Sequence, residues 1–378
     1  MAPKARLATE AVITGIALSI AVWAAFADAT WFERHVTARY CVDQSTLPWQ
    51  VARGLALAAA AVLFVVVRPR LGRVAFRTPP RDLAITSIGI VLALVASLVV
   101  GEVILRRVQW DDILTAPDIP KTQPDARLGW TLKPSATEHL DQGSRFIYAV
   151  NARDERARHS SDLGDPTAPT LVVVGESIAM GHGLDWDDTF GAVVGRALQL
   201  QVVNIGTPAY GNDQAYLRLL DTLPRLTRPK LVVILFVPPQ IRRNISPSRP
   251  HLVLGPEGAL VPVPAATGLA ALRLVRLFRD EPYHGDEPVQ VTRAILVASA
   301  KAVRDHGGEP LFLITNYRPA CSDPRRSIET ELFAGLPHLR VDLTEADVLG
   351  PEDPHPSSRG ARKLADAILG AVTGRPVR

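Results

Sequence analysis

Nineteen consecutive uncharged residues, Leu83 to Gly101, with ITSIGIVLALVASLVV at their heart, constrain this chain more than any other feature. At about 1.5 Å per residue, a helix of that length nearly crosses a hydrocarbon layer of about 30 Å. A transmembrane span is expected there. Ala11 to Phe26 is a second apolar run, flanked by Glu10 and Asp28, with Trp23, Trp31 and Phe32 as interfacial anchors. It reads as a span, although Lys4 and Arg6 before it and Ala25 and Ala27 near its end are also the marks of a secretory signal. Gly54 to Val67 is shorter and lies between Arg53 and Arg68. A helix begun near Trp49, with Arg53 snorkelling to the headgroups, reaches roughly the 20 residues a span requires.

Orientation follows from the connecting segment 68–81, RPRLGRVAFRTPPR, which carries five Arg and no acid and so belongs in the cytoplasm. With three spans, everything after residue 107 is expected outside the cytoplasm. Cys41 and Cys321 would then share a compartment where disulfides persist, but their spacing does not fix a bond. The Cys and His residues form no cluster with metal-ligand spacing. Across the 378 residues, 42 basic side chains balance 38 acidic ones and 47% of residues are hydrophobic. That excludes a disordered chain and a nucleic-acid polyelectrolyte partner.

The sequence therefore divides into a membrane domain (1–107), a Pro-containing juxtamembrane linker and lead-in (108–169) and a third unit (170–378). In the third unit, Val/Ile/Leu runs alternate with amphipathic stretches. The strands read TLVVVGE, QVVNIG, KLVVILFV, PLFLIT and HLRVDL, with helices near 187–199, 212–222, 288–306, 325–335 and 357–371. Continuous apolar strands separated by helices indicate a parallel sheet covered on both faces, an α/β fold in three α/β/α layers. Residues 247–264, rich in Pro and Gly, read as an irregular insertion.

An open parallel sheet gathers its chemistry at the strand C-termini. The first strand ends in VVVGESIAMGHGL, where the chain must turn from strand into helix and can present the hydroxyl of Ser177. Glu176 reads as an acceptor for backbone donors around that turn; His182 could line the cleft but reads rather as a polar residue at a helix start. At the other end of the chain, PEDPHPSSRGARKLADAIL puts His355 in a Pro-rich loop after the last strand, with Glu352 and Asp353 just upstream. A carboxylate two or three residues before a His can hold its Nδ1–H and leave Nε2 to take a Ser proton. Trp130 and Trp186 read as packing residues.

These residues resemble the SGNH (GDSL-like) hydrolases, and more narrowly their bacterial membrane-anchored members, over roughly residues 124–372. PDARLGWTLKP is similar to the lead-in "pelGwrlkP", and AVNARDER to "vN..GfR" with Asp154 in place of Gly. Gly175, Glu176, Ser177 and Gly181 match GDSxxxG with Glu for Asp, VVNIGTPAYGNDQ resembles "vlNlGvpGygtdQ", and His355, Pro356 and Gly360 match the last block. The third block departs from the pattern. Where the family places an oxyanion-donating Asn, LVVILFVPPQIRRN has Pro239 and Gln240, and Pro has no donor.

The resemblance implies a flavodoxin-like α/β/α hydrolase domain and a serine esterase or deacylase mechanism. Ser177 would be the nucleophile, His355 the base, and Asp353 or Glu352 the orienting acid, with Asp353 favoured by its shorter arm. The Ser177 and Gly206 N–H groups would hold the oxyanion, and either Gln240, Asn212 or Asn244 replaces the missing Asn or activity is reduced. Neither a metal nor an organic cofactor is required. The expected protein is a multi-pass component of the bacterial cell membrane with its catalytic domain outside the cytoplasm. Its expected partners are the bilayer and an acylated glycan or lipid-linked ester, with no nucleic acid. Two alternatives use the same domain: O-acyl transfer onto an exported or cell-wall polysaccharide, and a catalytically weak domain that binds envelope components.

Overall fold

The computed structural model describes residues 2–26, 47–77, scattered positions between 79 and 92, 95–103, 122–141, 144–247, 249–268, 272, 287–316, 325–350 and 353–374. The chain divides into two compact units, with the boundary after Trp110.

In the first unit, α1 (Ala2–Phe26) is followed by α2 (Leu47–Val62), a π-turn (Leu63–Val67) and α3 (Arg68–Arg77). Among the described residues, two helices are long and apolar enough to cross a membrane, Arg6–Phe26 and Arg53–Val74. They run antiparallel. Arg53 Nε donates to the Ala24 carbonyl at 2.8 Å, while at the other end Arg68 Nη2 lies 3.5 Å from Glu10 Oε2. Leu18, Val22, Leu55 and Val65 are exposed.

The basic segment after the second run differs from the expected loop, because the helix continues through it to Arg77. Pro69 lacks the N–H that an unbroken α-helix needs, and the π-turn immediately before it absorbs the missing bond. Beyond Pro69, Arg, Leu and Ala are good helix formers. The expected span at Leu83–Gly101 is described only in part, and the positions of it that are described are helical. Cys41, Cys321 and Glu352 also lie outside the described residues.

In the second unit, β6 (Thr170–Val174), β7 (Gln201–Asn204), β8 (Pro229–Phe236), β11 (Glu309–Ile314) and β12 (His338–Arg340) form a parallel array in the order β12-β11-β8-β6-β7. The chain leaves the central β6 for β7 on one side, then crosses to β8 on the other. That reversal opens a crevice at the C-terminal end of β6. The lead-in is no separate linker to this sheet. β3 (Ser135–Asp141), β4 (Ser144–Val150) and β5 (Arg156–Ala157) extend it antiparallel past β7, with Arg156 paired to Asn204. β1 (Thr122–Asp125) and β2 (Gly129–Leu132) pair with each other.

Alternate residues of the buried strands supply two cores. Val172, Val174, Val232, Ile234 and Phe312 pack under α6 (Asn212–Thr222), α8 (Glu287–Asp305) and α9 (Arg325–Phe333). Leu171, Val173, Val233, Leu235 and Leu313 pack under α5 (Phe190–Leu198) and α10 (Ser358–Thr373). Burying each such side chain is worth about 1.5 to 3 kcal/mol, so both faces must be covered and the three layers follow. The segment 247–264 is more regular than its composition suggests. β9 (His251–Leu254) and β10 (Leu260–Val263) form a hairpin around a Pro-Glu-Gly turn, in which Glu257 and Gly258 take left-handed φ values of 62° and 77°.

Candidate active site

At the end of β6, Gly175 (φ 147°) turns the chain into the one-turn helix α4 (Ser177–Met180), with Glu176 as its N-cap. Glu176 Oε1 accepts the Ile178 N–H at 2.9 Å, so the carboxylate does satisfy a backbone donor at the turn. Ser177 opens the helix, and its Oγ lies 2.8 Å from His355 Nε2.

The loop carrying His355 is pinned at several points. Val348 bridges to Pro356, the Leu349 N–H donates to the His355 carbonyl at 2.8 Å, and the Gly350 N–H donates to the Asp353 carbonyl at 3.1 Å. Within it, Asp353 Oδ1 accepts the His355 backbone N–H at 3.0 Å and lies 2.5 Å from His355 Nδ1. With Nδ1–H donated to the carboxylate, Nε2 carries the lone pair that a Ser proton needs. Ser177, His355 and Asp353 thus form one hydrogen-bonded chain.

Two further residues meet this chain: His182, whose sequence position allowed a place in the cleft without showing this contact, and Arg243. His182, just beyond α4, lies with Nε2 3.2 Å from Asp353 Oδ2, and its ring centroid is 4.1 Å from that of His355. Burial of Asp353 works against its ionisation, but the hydrogen bonds from His182 and His355 outweigh it and hold the carboxyl well below the usual range. Arg243 ends α7 (Pro239–Arg243) with Nη1 3.7 Å from Glu176 Oε2, and that same oxygen lies 2.6 Å from Ser177 Oγ. Neither residue carried a local signal for these roles, since both contacts come from chain crossings. His182, Asp353 and His355 offer ligand atoms within 4.8 Å of one another, and the two hydrogen bonds on Asp353 account for that closeness.

The expected oxyanion donors are placed differently. The Gly206 N–H donates to Asn204 Oδ1 at 2.9 Å. Gly206 serves close packing instead, because a Cβ there would lie 2.4 Å from the Met180 backbone nitrogen. Gln240 is fully buried: its Oε1 accepts the Val237 N–H at 2.9 Å and the Asn212 amide at 3.2 Å, and its Nε2 faces the Tyr210 carbonyl at 3.5 Å. The Asn244 amide reaches Thr292 Oγ1 at 2.9 Å and Asn212 Oδ1 at 3.3 Å. These amides therefore knit β8, α6 and α8 together, because a buried amide left unmatched would cost about 1 to 3 kcal/mol. Ala209, three residues past Gly206, takes a left-handed φ of 62°. Among the described residues, its N–H donates to no acceptor.

Trp130 is buried, with its indole N–H on the Pro208 carbonyl at 3.0 Å. Trp186 is half-buried, with the Arg156 guanidinium 5.8 Å over its ring.

No family profile matches the chain, and no curated protein matches it. Among solved structures, the chain is similar to a protein assigned to the G-D-S-L lipolytic family from Desulfitobacterium hafniense, with 14% identity and a TM-score of 0.33 over 53% of this chain and 98% of that one. It is also similar to a carbohydrate esterase described as having divergent catalytic and non-catalytic binding functions, with 11% identity and a TM-score of 0.35 over 67% and 85% of the two chains. A third likeness is to a carbohydrate esterase family 2 enzyme with a carbohydrate-binding domain from Corynascus thermopiles, with 17% identity and a TM-score of 0.30 over 54% and 67%. All three likenesses are distant.

Proposed function

We propose that this protein is a membrane-anchored serine esterase or deacylase of the SGNH type, acting outside the cytoplasm on O-acyl esters of envelope glycans. The observation that carries the chemistry is the chain from Ser177 Oγ through His355 to Asp353, with contacts of 2.8 and 2.5 Å. Ser177 Oγ attacks the ester carbonyl as its proton passes to His355 Nε2, and Asp353 stabilises the imidazolium that forms. An oxyanion forming there would be stabilised by backbone N–H donors of the strand-to-helix turn that bears Ser177. His355 then protonates the departing alcohol. The acyl-enzyme is released when water gives its proton to His355 and attacks the carbonyl, returning Ser177 to its hydroxyl form. The two long apolar helices support tethering, which restricts the enzyme to esters presented near the bilayer.

The test is fluorophosphonate labelling and p-nitrophenyl acetate hydrolysis by the full chain in detergent. Wild type is expected to label and hydrolyse, and Ser177→Ala to do neither while keeping stability within about 1 kcal/mol, since a hydroxyl at a turn packs little. Hydrolysis by Ser177→Ala at the wild-type rate would exclude this nucleophile. A wild type that neither labels nor hydrolyses would favour a binding domain.

A further inference from the structure

We infer that His182 is a positioning residue of this site, holding the second oxygen of Asp353 so that the first stays on His355 while the Ser177 proton moves. The inference rests on the acyl-enzyme reading above. Asp353 has two carboxylate oxygens and two imidazoles to serve. Oδ1 lies 2.5 Å from His355 Nδ1, and Oδ2 lies 3.2 Å from His182 Nε2. A carboxylate fixed at one oxygen can still rotate about its last bond, whereas one fixed at both cannot. The side chain sits two residues from His355 in a short loop, so a second anchor on α4's C-terminal side ties that loop to the turn that bears the nucleophile.

The protonation state of His182 follows from its surroundings. It is mostly buried, and its Nδ1 has no hydrogen-bond partner among the described residues. With the Nε2 hydrogen given to Asp353, Nδ1 keeps its lone pair and the ring is neutral. The charged or titratable groups facing it are Asp353 and His355 from the loop and Glu176 from the strand-to-helix turn. Phe190 of α5, Pro356 and Leu364 of α10 pack in the same region and bring no charge. Burial keeps the ring from taking a second proton until the pH falls below the ordinary histidine range, against the opposing pull of Asp353. Once protonated, His182 would put a positive charge beside His355 as that ring becomes an imidazolium, and the proton transfer from Ser177 would be disfavoured.

His182→Ala and His182→Gln, in the full chain, separate positioning from packing. Gln can place an amide N–H where Nε2–H lies and cannot titrate. His182→Ala is expected to lower kcat about ten- to a hundredfold, the scale for a misplaced catalytic group, with KM within about twofold. His182→Gln is expected to recover most of that loss. On the acid side, kcat/KM should fall with two protons in wild type and with one in His182→Gln. Equal kcat and superimposable acid limbs in wild type and His182→Ala would overturn the inference. If His182→Ala does not fold, an acid limb of His182→Gln unchanged from wild type overturns it. A wild type that does not label with fluorophosphonate fails at the earlier step, and the acyl-enzyme reading falls with it.

Discussion

The hydroxyl of Ser177 has one proton, and its acceptors among the described residues include His355 Nε2 at 2.8 Å and Glu176 Oε2 at 2.6 Å. The second contact depends on the length of Glu. The same side chain caps Ile178 with Oε1 and has Arg243 beside Oε2, and it is fully buried. Glu176→Asp, one methylene shorter, can keep the cap but withdraws from Oγ, which leaves the hydroxyl proton to His355. It is expected to hold stability within about 1 kcal/mol and to change kcat by less than about tenfold. Glu176→Ala removes the buried carboxylate beside Arg243 and is expected to cost about 3 kcal/mol. Denaturant titration and ester hydrolysis measure both. A Glu176→Asp variant as inactive as Ser177→Ala would make Glu176 itself the essential base.

At the scale of elements, the loop that carries His355 is fastened to the start of α10 through Asp347. The Asp347 carboxylate accepts the Thr344 N–H at 2.9 Å, lies 2.9 Å from Lys363 Nζ and 3.2 Å from Arg359 Nε, and its carbonyl accepts the Ser357 N–H at 2.9 Å. Burial opposes ionisation here, but Lys363 and Thr344 prevail and pull the carboxyl down to about 2. Because the folded value lies below the ordinary ~3.9, the stabilisation is complete above about pH 5. It is lost as pH falls through 4 toward 2. Asp347→Asn is therefore expected to be less stable than wild type by about 2 kcal/mol at pH 7, with the gap closing toward pH 2 in denaturant titrations. Gly360 meets the same residue: a Cβ there would lie 2.1 Å from the Asp347 carbonyl oxygen. Gly360→Ala must push the loop off α10. An activity loss of at least about a hundredfold, in a variant whose circular dichroism stays native, is the expected result, and full activity would show that the loop tolerates the shift.

The largest-scale prediction concerns which side of the membrane holds the second unit. The basic stretch is helical, yet Arg68, Arg70, Arg73 and Arg77 all stand at the same end of the antiparallel pair as Arg6. Positive charge favours the cytoplasmic face, and in sequence a further apolar run, Leu83 to Gly101, lies between this end and the second unit. A reporter enzyme active only in the cytoplasm, fused after Arg378, is expected to be silent, while the same reporter fused after Arg77 should be active. Activity from the C-terminal fusion would put the second unit inside and remove the proposed envelope substrates from consideration.

Periodicity alone carried the parallel strands and the helices between them, because a strand buried on both faces must be apolar throughout and its covering helices must be amphipathic. Ser177 and His355 were legible for a related reason. Each sits where a strand or loop hands the chain to a helix, and such junctions are local. What lay beyond the sequence were pairings between distant segments. The antiparallel strands of the lead-in are short and polar in places, and their membership of the sheet depends on Arg156 meeting Asn204. The amides of Gln240, Asn212 and Asn244 read as available donors in one dimension, and only the crossing of β8, α6 and α8 gives them buried acceptors. The same holds for His182, 171 residues from Asp353 in sequence and one hydrogen bond away in space. Sequence determines which side chains can donate, accept or carry charge. The tertiary structure decides which of them spend that capacity on each other, because a buried polar group must find its partner wherever the chain brings one.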